Sequence, residues 1–166
     1  MKISQLTRLI LRPACPLFLA VLPGLLCPAT SSGAAGTVVA WGDNANGQTN
    51  VPPDLTNAIA VAAGQFQSLA IRQDGTVSTW GGNSAALTNL PAGLSNVVQV
   101  AGGGTHSLAL RADGSVAGWG ANYYPDTNSP TGQATPPADL ANATAIAAGW
   151  AHSVALRYDR TVVAWG

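Results

Sequence analysis

The sequence predicts an all-β repeat fold, a β-propeller of small stacked sheets, and three observations carry that prediction. The first is a period. Trp41, Trp80, Trp119 and Trp165 each close a segment ending Trp-Gly, at spacings of 39, 39 and 46 residues. Self-similarity at such a period marks arrays, solenoids and propellers. The second is that other positions share this register: Ser68, Ser107 and Ser153, then Asp74, Asp113 and Asp159, then Leu55, Leu94 and Leu140 all recur at 39 and 46. The third is the character of the strands, which are short, close in sequence and apolar on both faces.

Each repeat reads as three strands. The first is small and apolar: AIAVAAG (58–64), VVQVAGG (97–103) and TAIAAG (144–149). A glycine turn leads to QSLAIR (67–72), HSLALR (106–111) and HSVALR (152–157). A two-residue turn leads to TVSTWG (76–81), SVAGWG (115–120) and TVVAWG (161–166). Asp74-Gly75 and Asp113-Gly114 suit that turn, because glycine accepts positive φ and aspartate bonds its own backbone there. The third copy has Asp159-Arg160. Arginine at positive φ costs about 1–2 kcal/mol, so a different turn type is expected. Arg72, Arg111 and Arg157 stand two residues before each aspartate, and local pairing with it is expected.

Strand alternation places Ser107 and Ala109 on one face of HSLAL and Leu108 and Leu110 on the other. A strand apolar on both faces is buried on both, and radial stacking of blades achieves this. The small Ala, Gly and Ser faces allow close approach, and the repeat tryptophans Trp41, Trp80, Trp119 and Trp165 fill the space between blades.

The expected organisation is a leader over 1–34, a lone third strand with its connecting loop over 35–57, and repeats over 58–96, 97–143 and 144–166. A seven-residue insertion lies between Asn122 and Gly132, within 123–131. The leader has three cations in its first twelve residues, then an apolar run to Cys27 and a small-residue stretch ending near Ala34. That is a secretory signal layout. Its apolar run is shorter than the roughly 20 residues a spanning helix needs, and Pro16 and Pro23 interrupt it. The expected location is therefore secreted, periplasmic or cell-surface, with no membrane span in the mature form.

Charge excludes one class of partner. Beyond residue 35 there are four Arg, seven Asp and no Lys or Glu, a net charge of −3. No basic stripe is available to neutralise phosphates, so nucleic acid is not an expected partner. Both cysteines, Cys15 and Cys27, fall in the leader, leaving no thiolate site beyond it.

Segments such as VAGGGTHSLALRADGSVAGWG resemble regulator-of-chromosome-condensation repeats. The short 39-residue form with WGDNANGQTNVP resembles bacterial secreted members, of the β-lactamase-inhibitory propeller type. The resemblance covers residues 37–166. It implies a seven-bladed ring of roughly 270 residues. Three complete repeats and one lone strand then read as part of such a ring, with self-association through open blade edges as an expected hazard.

No catalytic constellation emerges. His106 and His152 sit one per repeat, with Gln67 in the first copy, which suits structural hydrogen bonding better than a metal site. The turn aspartates repeat around a ring rather than converge. No catalytic, metal or cofactor site is expected, and the sequon at Asn142 reads as a turn asparagine. The informative positions are those that break the repeat: Gln65, Gly104 and Trp150, then Phe66, Thr105 and Ala151. Aromatics on a rigid rim suit partner binding. In the inhibitor-like members, loops on one face bind a protein, which makes Phe66 and Trp150 the leading candidates. Tyr123 and Tyr124 in the insertion form a second candidate patch. The expected function is a secreted, non-catalytic module that binds another protein. Carbohydrate or cell-surface binding is an alternative. Nucleotide exchange on a small GTPase, or chromatin binding, is disfavoured by export and acidity.

Overall fold

The structure, a computed structural model, describes residues 36–122 and 130–166. The leader, Cys15, Cys27, Tyr123 and Tyr124 lie outside these residues.

Among the described residues, nine strands form three antiparallel sheets, each three strands in sequential order. The first blade holds β1 (Ala58–Ala63), β2 (Gln67–Arg72) and β3 (Val77–Gly81). The second holds β4 (Val97–Gly102), β5 (His106–Arg111) and β6 (Val116–Gly120). The third holds β7 (Ala143–Ala148), β8 (Ser153–Arg157) and β9 (Val162–Trp165). A single turn of 3-10 helix, Ala85–Leu87, is the one helical element among the described residues.

The alternation of the middle strands is what stacks the blades. Leu69 and Ile71 of β2 pack into one cluster with Ala109, Val97, Val100 and Trp119 of the second blade. Leu108 and Leu110, on the opposite face of β5, pack with Ala143, Ile146 and Ala155 of the third, and Trp165 lies against them. Each blade therefore presents leucine or isoleucine on one face and alanine with tryptophan on the other. Large side chains meet small ones, and the layers interdigitate.

The tryptophans are fixed by their indole N–H groups as well as by packing. Trp80 donates to the Gln48 carbonyl (2.9 Å), Trp119 to the Leu87 carbonyl (3.0 Å) and Trp165 to the Gln133 carbonyl (3.0 Å). Gln48, Leu87 and Gln133 occupy one register position, so the segment leading out of each Trp-Gly runs on to the tryptophan of the next repeat. Trp119 is only 6% exposed.

Trp41 departs from the core role expected of it. It is 85% exposed, and residues 37–42 adopt no strand. A single bridge, Gly36 to Ala58, ties this stretch to the first blade. The hexapeptide TVVAWG is identical at 37–42 and 161–166, yet only the second copy forms a strand. That copy has β8 to pair with; among the described residues the first has no second strand beside it.

The turns are more uniform than expected. Gly75, Gly114 and Arg160 have φ of 77°, 81° and 70°, so Arg160 takes the same left-handed conformation as the glycines. Capping explains why: Asp159 Oδ1 accepts from the Thr161 N–H (2.9 Å) and hydroxyl (2.7 Å). Asp74 binds Thr76, and Asp113 binds Ser115, in the same way. These bonds hold all three carboxyls below the usual aspartate range, with the nearby arginine a lesser cause.

The arginines do not form ion pairs with those turn aspartates. Arg72 instead bridges to Asp54 (3.0 Å) and Arg157 to Asp139 (3.5 Å), both in the loop entering the blade. The matching position of the second blade is Gly93, and there Arg111 donates to the Ser115 hydroxyl (3.3 Å).

Candidate functional site

The turns joining first to second strands, at 64–66, 103–105 and 149–151, lie together on one rim. Glycines make this rim possible. A Cβ on Gly102 would fall 2.6 Å from Gly64 N, and one on Gly103 would fall 2.6 Å from the Gly149 carbonyl oxygen. The innermost strands can thus approach backbone to backbone. Backbone bonds follow: the Gln65 N–H donates to the Gly103 carbonyl (3.0 Å) and the Gly104 N–H to the Trp150 carbonyl (3.1 Å).

Trp150 crosses this rim. Its indole N–H donates to Gln65 Oε1 at 2.7 Å, so the third blade reaches the first over the second. The crossing depends on Gly104, where a Cβ would stand 2.5 Å from Trp150 Cδ1. The three residues that break the repeat at one register position are thereby one unit: a strap, the gap it passes through and its anchor. Trp150 remains 43% exposed, so it does not bury itself in the core between blades. Phe66 follows Gln65 directly and is half-buried. Thr105 is buried and its carbonyl accepts from the Ala121 N–H (2.7 Å). Sequence register alone places Gln65, Gly104 and Trp150 at equivalent positions; their contact across two blades needs the tertiary structure.

Beneath the rim, the position shared by Gln67, His106 and His152 latches one blade to the next. Gln67 Nε2 donates to the His106 carbonyl (2.8 Å) and to Ser107 Oγ (3.2 Å). His106 Nε2 lies 2.9 Å from Ser153 Oγ. Ser153 gives its proton to the Gln133 carbonyl (2.8 Å), so His106 is the donor, with its proton on Nε2. Its Nδ1 is buried with no hydrogen-bond partner among the described residues. Burial, with His152 nearby, lowers the His106 pKa to about 4, so the ring is neutral at pH 7. His152 is exposed. Gln99 adds a second latch, accepting from the Ile146 N–H (3.0 Å) and donating to the Ile146 carbonyl (2.9 Å).

The two rims differ in chemistry. Among the described residues, the charged side chains other than Asp43 gather at the opposite rim, at the hairpin turns and the loops entering each blade. The Trp150 rim is aromatic and nearly uncharged. No group of three His, Cys, Asp or Glu side chains converges among the described residues. No helix among them is long and apolar enough to cross a membrane.

This geometry has relatives. A family model described as the regulator of chromosome condensation (RCC1) repeat matches residues 97–124 and 143–166. The chain is similar to the CRINKLY WD40 ectodomain of the Arabidopsis thaliana receptor kinase ACR4, with a TM-score of 0.62 and 22% identity over 82% of this chain and 45% of that one. It is similar to yeast RCC1 (Prp20) in a structure with Kap60 bound, with a TM-score of 0.58 and 22% identity over 79% and 40%. It is also similar to the ectodomain of the Physcomitrella patens receptor kinase CR4, with a TM-score of 0.60 and 25% identity over 76% and 34%. The chain thus spans less than half the length of each. No curated protein matches it. The fold is that of an RCC1-type repeat propeller. The described residues form three of its blades, each with the Trp-Gly, Asp-turn and Ser positions of the repeat.

Proposed function

We propose that the chain is an exported, non-catalytic module that binds another protein through the rim carrying Trp150 and Phe66. The observation that carries this reading is the strap from Trp150 over Gly104 to Gln65. It holds a large aromatic in place across three blades while leaving 43% of it exposed. A fixed, amphipathic ring on a rigid frame loses little entropy on binding, and tryptophan is enriched at such hot spots. The near-absence of charge on this rim suits an apolar or neutral partner surface. The leader over 1–34 supports export, and the RCC1-type fold supports a binding role, as in yeast RCC1 with Kap60 bound.

The test is a panel of extracytoplasmic proteins offered to the full mature chain in a biosensor, with Trp150→Ala and Gly104→Ala alongside. A bound partner is expected to lose affinity by at least tenfold with either variant. The alanine at 104 acts by displacing the strap while leaving the indole chemically unchanged. Binding that ignores both changes, or a folded chain that binds nothing in the panel, counts against this rim. An alkaline phosphatase fusion to residues 1–40 reads export directly.

A further inference from the structure

The geometry points to a second binding site, on the opposite rim: the cleft between the β5–β6 turn and β7 takes a neutral saccharide, with Tyr158 as its stacking ring. The cleft has a volume of about 410 Å³ and is lined by Asp113, Asn142, Thr144 and Tyr158. Its floor is fixed by backbone bonds, from the Ala143 N–H to the Gly114 carbonyl (3.0 Å) and from the Tyr158 N–H to the Asn142 carbonyl (2.9 Å). Thr144 sits at the register shift of β7, where a bulge turns a side chain out of the ladder.

The molecule holds its own comparison. Between the first and second blades the same frame recurs, with the Val97 N–H on the Gly75 carbonyl (3.0 Å) and the Ala112 N–H on the Asn96 carbonyl (2.9 Å). There, however, Ala112 and Val98 stand in the positions of Tyr158 and Thr144. On one backbone, two apolar side chains have thus become a phenol and a hydroxyl in a single cleft. Packing does not account for the tyrosine, which is 79% exposed.

The groups present select the ligand class. Asp113 uses Oδ1 for both of its turn bonds, so Oδ2 remains to accept from a ligand. Asn142 makes no side-chain hydrogen bond among the described residues and can both donate and accept. Thr144 gives its proton to the Leu156 carbonyl (3.2 Å) and keeps its lone pairs. A pyranose matches this set, with an apolar C–H face for the ring and hydroxyls that both give and take hydrogen bonds. A cationic side chain would use only the acceptors, and Arg111, Arg157 and Arg160 in the flanking turns oppose it.

An array of neutral oligosaccharides probed with the full mature chain, followed by calorimetric titration of the retained glycan, tests the assignment. Retention of neutral glycans is expected, with one site per chain. Tyr158→Ala is expected to weaken binding at least tenfold, while Tyr158→Phe keeps most of it. Tyr158 is exposed enough that its removal leaves the circular dichroism spectrum intact, which separates lost binding from lost fold. Three results overturn the assignment: no neutral glycan retained by the folded chain, equal binding by Tyr158→Ala, or Tyr158-dependent binding of an arginine-rich peptide in place of glycans.

Discussion

At the scale of single residues, the tryptophans separate packing from pattern. Trp41 and Trp119 occupy the same register, and Trp41 sits in a hexapeptide identical to the one that ends at Gly166. Trp119 is buried between two blades and its indole N–H bonds the Leu87 carbonyl; Trp41 stands in solvent. Truncating a buried tryptophan forfeits its transfer energy and leaves a cavity. Trp119→Ala is therefore expected to cost about 3–5 kcal/mol in urea denaturation, and Trp41→Ala less than about 0.5 kcal/mol, the usual range for exposed substitutions. Equal losses for both would mean that residues 37–42 are held by a neighbour in solution. The Trp-Gly motif was legible in the sequence. Which copies are buried was not, because burial depends on whether a second strand lies beside them.

At the scale of elements, the hairpin turns show a local rule overridden by capping. Arg160 takes a φ of 70° where the other repeats have glycine, held by the two bonds from Thr161 to Asp159. Arg160→Gly relieves the left-handed strain but gives the unfolded chain more freedom. The expected net result is a gain of about 0.5–1 kcal/mol, read as a higher urea midpoint with unchanged slope. A loss would show that the Arg160 side chain contributes contacts that outweigh the strain. The arginine pairing follows a related logic. Asp54 and Asp139 recur at 85 residues and Gly93 interrupts them, so the series was visible in the sequence. Nearness along the chain favoured the turn aspartates. Those carboxylates are already engaged by their own turn, which leaves the loop aspartates for the arginines. Both bridges are exposed on the aspartate side, and such pairs contribute little stability.

At the scale of the whole molecule, the blades are joined by one latch position filled by different residues, and that makes the joint sensitive to acid. His106 is neutral in the fold, with its pKa lowered from 6.5 to about 4, mainly by burial. Above pH 6.5 neither folded nor unfolded chain binds the proton, and its contribution to stability is constant. Between about pH 6.5 and 4 only the unfolded chain takes it up, so stability falls as the pH falls, by about 3 kcal/mol in all. Gln67 shows that an amide serves the same joint. His106→Gln is thus expected to keep stability near its original value at pH 7.5 and to flatten the decline toward pH 4.5, measured by urea titration at each pH. An unchanged acid slope would place the sensitivity elsewhere. The same scale decides the rims. Charge collects on one and aromatic surface on the other because β2, β5 and β8 all run the same way between them, and each ends in an arginine.

The sequence by itself determined the repeat, the three strands of each blade, the alternation that stacks them and the turn chemistry. These follow from periodicity and local backbone preference, which are written along the chain. Only the tertiary structure decided that Trp150 passes over Gly104 to Gln65, that His106 loses its affinity for a proton, and that Tyr158 and Thr144 share a cleft with Asp113. Each of these joins residues from different blades. Their closeness is set by how the sheets pack, and no local preference encodes it.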